Sequence, residues 1–303
     1  MIDPIYLPHD RDELRQHFTA DADANIDYFE RSASRYRSFL KEHSPTIGQP
    51  LTAARGPRQI EKDERFWTAA ALKAVFDSSK RPEALANLMR TAFGPRPPLT
   101  TFATWQDCLE GELRLYFEAH FPSPRLYAEW LRENLKHQQV IPYVLDAAER
   151  TSRRRLEGAT HVDGVLVNLT NGFGVVIEAK VLSDISYGVS FDMYRNQLAR
   201  NIDVMLEEYP DLDNMLSKRK ADRSLFVLLT PRPFRDRPHS RLYGWLLHEY
   251  QTQPEALRRD LPHRAGVAWE PVARRIGWLT FEDIREQCDT ACAWLVVPGV
   301  DAS

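Results

Sequence analysis

The chain has 303 residues, 43% of them hydrophobic and 27% charged, with a net charge of −3. That is an ordinary soluble balance with room for one or two domains, and it carries no global nucleic-acid signature. No stretch approaches the roughly 20 apolar residues of a membrane span, and the opening "MIDPIYLPHDRDELRQ" has no apolar leader core.

Residues 10–93 read as helical. In 23–43, Ile26, Phe29, Ala33, Tyr36 and Leu40 recur at helical spacing. "EKDERFWTAAALKAVFDS" (61–78) places acids in its first turn, where they meet the positive end of the helix dipole. "RPEALANLMRTAF" (81–93) has proline near its start, and "GPRPPLT" (94–100) breaks the pattern. This divides the chain into an all-helical region, 1–98, for recognition, dimerisation or partner docking, and a second domain, 99–303.

The second domain opens with two further expected helices. In 104–121, Leu109, Leu113, Phe117 and Phe121 share one helical face, and 123–137 continues the helical pattern. Residues 138–150 are ambiguous. The period then changes to two. "THVDGVLVNL" (160–169) and "FGVVIEAKVL" (173–182) flank "TNG", and Asn-Gly between alternating runs predicts a two-residue hairpin turn. A helix over 189–209, a buried strand over 223–231 and a helix over 240–251 follow. "RIGWLTFEDIREQCDTACAWL" (275–295) reads as a strand entering a closing helix, with Thr280 as its N-cap and Asp283 three residues on. The fold class is therefore α/β, a mixed sheet flanked by helices.

Cys108, Cys288 and Cys292 form no C-x-x-C pair, which disfavours a disulfide framework and suits a reducing, cytoplasmic setting. Cys288 and Cys292 read as buried thiols on the last helix. Trp245, Trp269, Trp278 and Trp294 read as core. No zinc spacing, P-loop or G-x-S-x-G elbow occurs. Four basic runs stand in the C-terminal half: 150–155, 217–223, 231–241 and 257–264. Each alone reads as a solvated face; together they suggest an anionic partner.

The hairpin poses the chemical question. With Asn171 and Gly172 as turn residues, Asp163 falls across from Lys180 and diagonal to Glu178. Glu178 and Lys180 share a face, while Ile177, Ala179 and Val181 point the other way into the core. A cross-strand ion pair on a wet face is the plain explanation, but Val176 and Leu182 lie on the same face. Two converging carboxylates beside a lysine suit Mg²⁺ and a phosphate oxygen, and a lysine there can stabilise developing negative charge. His161, two residues before Asp163, is either a supporting or a merely packed side chain.

"HVDG…VVIEAK", an Asp followed about fifteen residues later by E-x-K across a hairpin, resembles the PD-(D/E)xK nuclease superfamily with its restriction-endonuclease-like fold. The resemblance covers roughly 104–295 and includes the order of elements, although "VDG" replaces the literal Pro-Asp. It implies that Asp163, Glu178 and the carbonyl of Ala179 bind Mg²⁺, with Mn²⁺ as a substitute, and that Lys180 is the catalytic lysine. It implies a supporting Glu on the preceding helix, Glu112 ahead of Glu110. It also implies a polar residue on the following helix, Gln197, with Arg200 and Asn201 beside it. The expected activity is metal-dependent phosphodiester hydrolysis of DNA, with RNA open, in restriction, repair or defence. The alternative is a catalytically silent subunit of the same fold that binds nucleic acid or a partner protein.

Overall fold

The computed structural model describes residues 1–3, 6–42, 59–138, 142, 158–185, 195–292 and 295. Its helices are α1 (Arg11–Arg15), α2 (Ala22–Glu42), α3 (Gln59–Lys62), α4 (Glu64–Asp77), α5 (Arg81–Phe93), α6 (Trp105–Leu109), α7 (Arg125–Gln138) and α8 (Gln197–Met205). After these come α9 (Arg232–Asp236), α10 (Leu242–Thr252), α11 (Glu255–Asp260), α12 (Trp269–Ala273) and α13 (Phe281–Gln287). The strands are β1 (Leu113–Phe121), β2 (Thr160–Asn168), β3 (Gly174–Ala179), β4 (Ser224–Thr230) and β5 (Ile276–Thr280). They form one mixed sheet in the order β1-β2-β3-β4-β5. The first two pairings are antiparallel and the last two parallel. Among the described residues no helix is long and apolar enough to cross a membrane.

Helices cover both faces of the sheet. Leu166, Val175, Ile177, Val227 and Leu279 pack against Trp67, Leu85, Leu88 and Ile284 from α4, α5 and α13. Val165, Val167, Val176, Phe226 and Leu228 pack against Leu198, Ile202, Leu247 and Leu257 on the other side. Trp67 meets Phe281 edge-on, ring centroids 4.9 Å apart, a contact worth about 0.5–1.5 kcal/mol beyond its buried area. The capping box at Thr280 and Asp283 forms as expected.

The expected helix over 104–121 is corrected. Only Trp105–Leu109 is helical, and Leu113–Phe121 is a strand. A spacing of four residues fits a period of two as well as one of 3.6, so Leu109, Leu113, Phe117 and Phe121 cannot separate the two. Leu115 and Ala119, buried between them, complete a strand alternation. The break falls at Gly111, whose φ of 119° is open only to glycine, and the chain there turns into the sheet.

The hairpin register is also corrected. Gly164 pairs with Ile177 and Val165 with Val176, not with Glu178. The loop is four residues long because two asparagines fill it. Asn168 Oδ1 accepts from Thr170 N (2.9 Å), and Asn171 Oδ1 accepts from Phe173 N (2.9 Å). Asn168 Nδ2 donates to the Cys108 and Glu110 carbonyls. Gly172 takes φ 77°. The shift is two residues, so parity holds, and Asp163, Glu178 and Lys180 stay on one side.

The closing helix stops at Gln287. Cys288 is its C-cap, and only Cys292 of that pair is buried. Trp269 is buried, but Trp245 is 54% exposed and is not core. Residues 139–141 and 143–157 and the first part of the helix expected from 189, like Trp294, lie outside the described residues.

Candidate active site

Four elements converge at the carboxyl end of β3. From β2 comes Asp163, half-buried, whose Oδ2 accepts from Ala179 N at 2.7 Å. Its neighbour Gly164 lets α4 approach; a Cβ there would stand 2.9 Å from Leu72 Cδ1. From β3 come Glu178, 1% exposed, and Lys180, 5% exposed. Lys180 Nζ donates to Glu178 Oε1 (2.7 Å) and to the Ala179 carbonyl (3.1 Å). From α8, Gln197 Nε2 donates to Glu178 Oε1 and Asn201 Nδ2 to Glu178 Oε2.

The fourth element is α4, whose first residue, Glu64, reaches the site. Glu64 Oε2 lies 3.3 Å from Lys180 Nζ, and its Oε1 accepts from Val181 N and the Ser183 hydroxyl. Sequence reasoning saw Glu64 only as an acid suited to a helix start. That same first-turn position carries it to the sheet.

Glu112 and Glu110 do not reach the site. Glu112 is exposed and pairs with Arg114 (2.6 Å), and Glu110 caps α6. Glu112 precedes a strand instead of riding a helix, and it lies roughly 15–20 Å down β1 from the level of Asp163 at strand rise. Asp163, Glu178, Lys180, Gln197 and the Ala179 carbonyl are brought together; Glu64 and Glu118 join them unforeseen.

Glu118 was hidden by the helical reading of its segment. Phe117 and Ala119 pair with Gly164 and Val162, which leaves Glu118 level with Asp163. Its φ is 47°, left-handed in mid-strand, a conformation costing on the order of 1–3 kcal/mol for a non-glycine residue and concentrated at functional sites. The strand turns over there. Leu115 and Phe117 pack toward α4, whereas Ala119 and Phe121 join the core under α8.

A cavity of about 720 Å³ opens over these groups, lined also by Arg35, Lys62, Arg65 and His161. His161 stacks on His120, centroids 3.8 Å apart, so it is a rim residue, and burial holds its pKa below the ordinary value.

The electrostatics are one-sided. Burial raises both Asp163 and Glu178 well above ordinary carboxylates; the charge of Asp163 pushes Glu178 further, and Glu64 adds to both. Burial and the charge of Asp163 raise Glu118 to about 7, although Arg65 stands 3.2 Å away. Burial disfavours the Lys180 ammonium, but Glu178, Asp163 and Glu64 outweigh that and hold it charged above its usual range. Lys180 is bonded to Glu178 and Glu64, Arg65 pairs with Glu118, and Arg35 and Lys62 stand on the cavity wall.

This donor set fits a hard divalent cation in its chemistry. It is all oxygen and carboxylate-rich. Asn201 Oδ1 adds a buried oxygen without a hydrogen-bond partner beside Glu178. No three His, Cys, Asp or Glu among the described residues are grouped closely enough to enclose an ion as they stand; Lys180 occupies Glu178 instead.

Glu118→Gln is expected to stabilise the fold by about 1–3 kcal/mol above about pH 7, with the gain vanishing below about pH 5. The folded-state pKa of Glu118 is raised, so the wild type is best supported while this group is protonated and loses that support as pH rises toward 7. Urea unfolding across this range checks it; parallel pH profiles for the two proteins would refute the assignment.

The helix that presents Gln197 and Asn201 is pinned at both ends. Asn196 caps α8 by accepting from Ala199 N (3.0 Å) and is held in turn by Tyr250 (2.7 Å). At the other end Arg219, 1% exposed, donates to the Val204, Met205 and Glu207 carbonyls, satisfying groups that a helix C-terminus leaves open. Asp203 meets Arg195, His263 and Arg264.

The basic runs serve the fold more than the surface. Arg232 and Arg235 pair with Asp283, Arg259 with Glu249 and Asp260, and Arg264 with Asp203 and Glu207. The run at 150–155 lies outside the described residues. Arg237 and Arg241 pair with no carboxylate among the described residues.

No family model, no curated protein and no solved structure matches this chain.

Proposed function

We propose that the chain is a metal-dependent phosphodiesterase acting on nucleic acid, DNA foremost, built on the restriction-endonuclease-like plan. The observation that carries this reading is the meeting of Asp163 on one strand with Glu178 and Lys180 at the end of the next, at a cleft edge, with both carboxyl groups raised by burial. The order of elements supports it too: an acid-bearing helix, the Asp strand, the E-x-K strand, a helix carrying Gln197, then further parallel sheet. In that plan Glu64, not Glu112, is the supporting acid.

Asp163, Glu178 and the Ala179 carbonyl would hold Mg²⁺ or Mn²⁺. When bound, the ion supplies Lewis acidity toward a phosphoryl oxygen and toward water. The chain's own groups do the rest. Gln197 and Asn201 fix the Glu178 carboxylate, and Glu64 steadies Lys180. The Lys180 ammonium offers its protons to negative charge developing on the phosphate. Arg35, Lys62 and Arg65 line the cleft and meet the backbone, so activity falls with salt.

A silent binding subunit is the second reading. One observation favours it: both Glu178 oxygens are already filled, by Lys180, Gln197 and Asn201. Plasmid cleavage separates the two. Wild type and Lys180→Ala are compared with Mg²⁺, with Mn²⁺ and with EDTA. The enzyme reading expects metal-dependent cutting that falls at least about a hundredfold in the variant. A wild type inert on plasmid and on single- and double-stranded oligonucleotides would sink it.

A further inference from the structure

We propose that Trp245 and His239, flanked by Arg237 and Arg241, form a stacking platform for an unpaired nucleotide of the strand whose backbone occupies the cleft. The inference rests on the nuclease reading and names the substrate feature recognised: a single-stranded or locally opened segment beside the reacting phosphate.

The first argument is position. β3 and β4 run parallel, Ala179 pairs with Leu229, and Lys180 N donates to the Leu229 carbonyl at 2.9 Å. The chain that leaves β4 at Pro231 therefore emerges at the sheet edge where Lys180 stands. Asp184 fixes the far end of this segment, accepting from Leu242 N (2.8 Å) and Tyr243 N (3.3 Å). Its neighbour Ser183 bonds to Glu64 inside the cleft. The start of α10 is thus held by the residue that follows Ser183 of the cleft lining.

The second argument is chemistry. Trp245 is 54% exposed, so a large aromatic face is open to a ligand. The side chain is also held in place. Its Nε1 donates to the His239 carbonyl at 3.2 Å, and its ring lies 3.9 Å from the His239 ring. An aromatic pre-fixed in this way loses little conformational freedom when a base stacks on it. Arg241 lies over Phe234, 4.5 Å from the ring centroid, with no carboxylate partner among the described residues, and Arg237 is exposed. Aromatic faces interleaved with guanidinium groups that no carboxylate neutralises among the described residues match alternating bases and phosphates. The other arginines of this run, Arg232 and Arg235, are tied to Asp283, so the free pair is confined to the aromatic side.

The test is fluorescence anisotropy of the full chain in EDTA, where cleavage cannot intervene. The probes are one fluorescein-labelled oligonucleotide as a single strand, as a blunt duplex and as a duplex with a single-stranded tail. Trp245→Ala is expected to weaken single-strand and tailed-duplex binding by roughly 5- to 150-fold, to leave the blunt duplex little changed, and to be largely rescued by Trp245→Phe. Single-strand binding unchanged in Trp245→Ala overturns the platform; if the wild type still cuts plasmid with metal, the cleft reading survives that result. A Trp245→Ala protein that changes only its own sedimentation, with oligonucleotide binding intact, assigns the patch to self-association and also overturns the proposal. A wild type that binds no probe and cuts no substrate ends both readings together.

Discussion

Asp163→Asn is expected to abolish metal-dependent cleavage, by a thousandfold or more on the order of other lost electrostatic catalytic groups, while making the protein more stable above neutral pH. Asn keeps an oxygen to accept from Ala179 N, so the hairpin geometry is preserved. It removes a carboxylate that burial holds above the ordinary range and whose charge raises Glu178 in turn. A carboxylate with a raised folded pKa supports the fold while protonated and opposes it once ionised. The gain should therefore be about 1 kcal/mol at pH 8 and close toward pH 4. Cleavage assays and urea unfolding on the same preparation check both halves. An Asn variant that cuts at the wild-type rate would remove Asp163 from the site.

Asp203→Ala carries the largest expected loss of stability, about 3–5 kcal/mol by urea or thermal unfolding. The Asp203 carboxylate is fully buried and serves Arg195, His263 and Arg264 together. Burial would raise its pKa, but those partners outweigh burial and hold it below the ordinary value. Its contribution is thus present above about pH 4 and lost as acid protonates it. Removing it takes a buried counter-charge away from Arg195 and Arg264. Asp203→Asn, which retains a hydrogen-bonding oxygen, should lose less. Equal unfolding midpoints for wild type and Asp203→Ala would show that the network does not hold α8.

The sequence made the parallel half of the fold legible because its signals were local. Thr280 with Asp283, the apolar run at 224–230 and the alternation through Glu178 each need only their own neighbours. The antiparallel edge was harder. β1 carries apolar residues four apart, a spacing common to both periods, and only its pairing with β2 decides between them. The same ambiguity concealed Glu118 and lent Glu112 a helix it does not have. Asp163, Glu178 and Lys180 were legible through parity, which survives an error of two in register. Glu64 was not, since 114 residues separate it from Glu178 and nothing local reports where a helix start will dock. The arginine runs were opaque for the same reason: Asp283 and Asp203, which pair with Arg232, Arg235 and Arg264, are distant in sequence.

The asparagine-filled loop after β2 also sets a rule for how this chain can vary in length. Residues 169–172 bridge Asn168 to Phe173. Removing two of them leaves a hairpin of the tightest kind and keeps every side chain of β3 on its present face. Removing one leaves a three-residue loop across the same pair, which closes without a slip when one of its residues is left-handed, as Gly172 already is. Descendants of this sequence can therefore shorten here by one or two residues only while a glycine or asparagine remains to take the left-handed position, and the strand pairing, not the loop length, keeps Glu178 and Lys180 on their face.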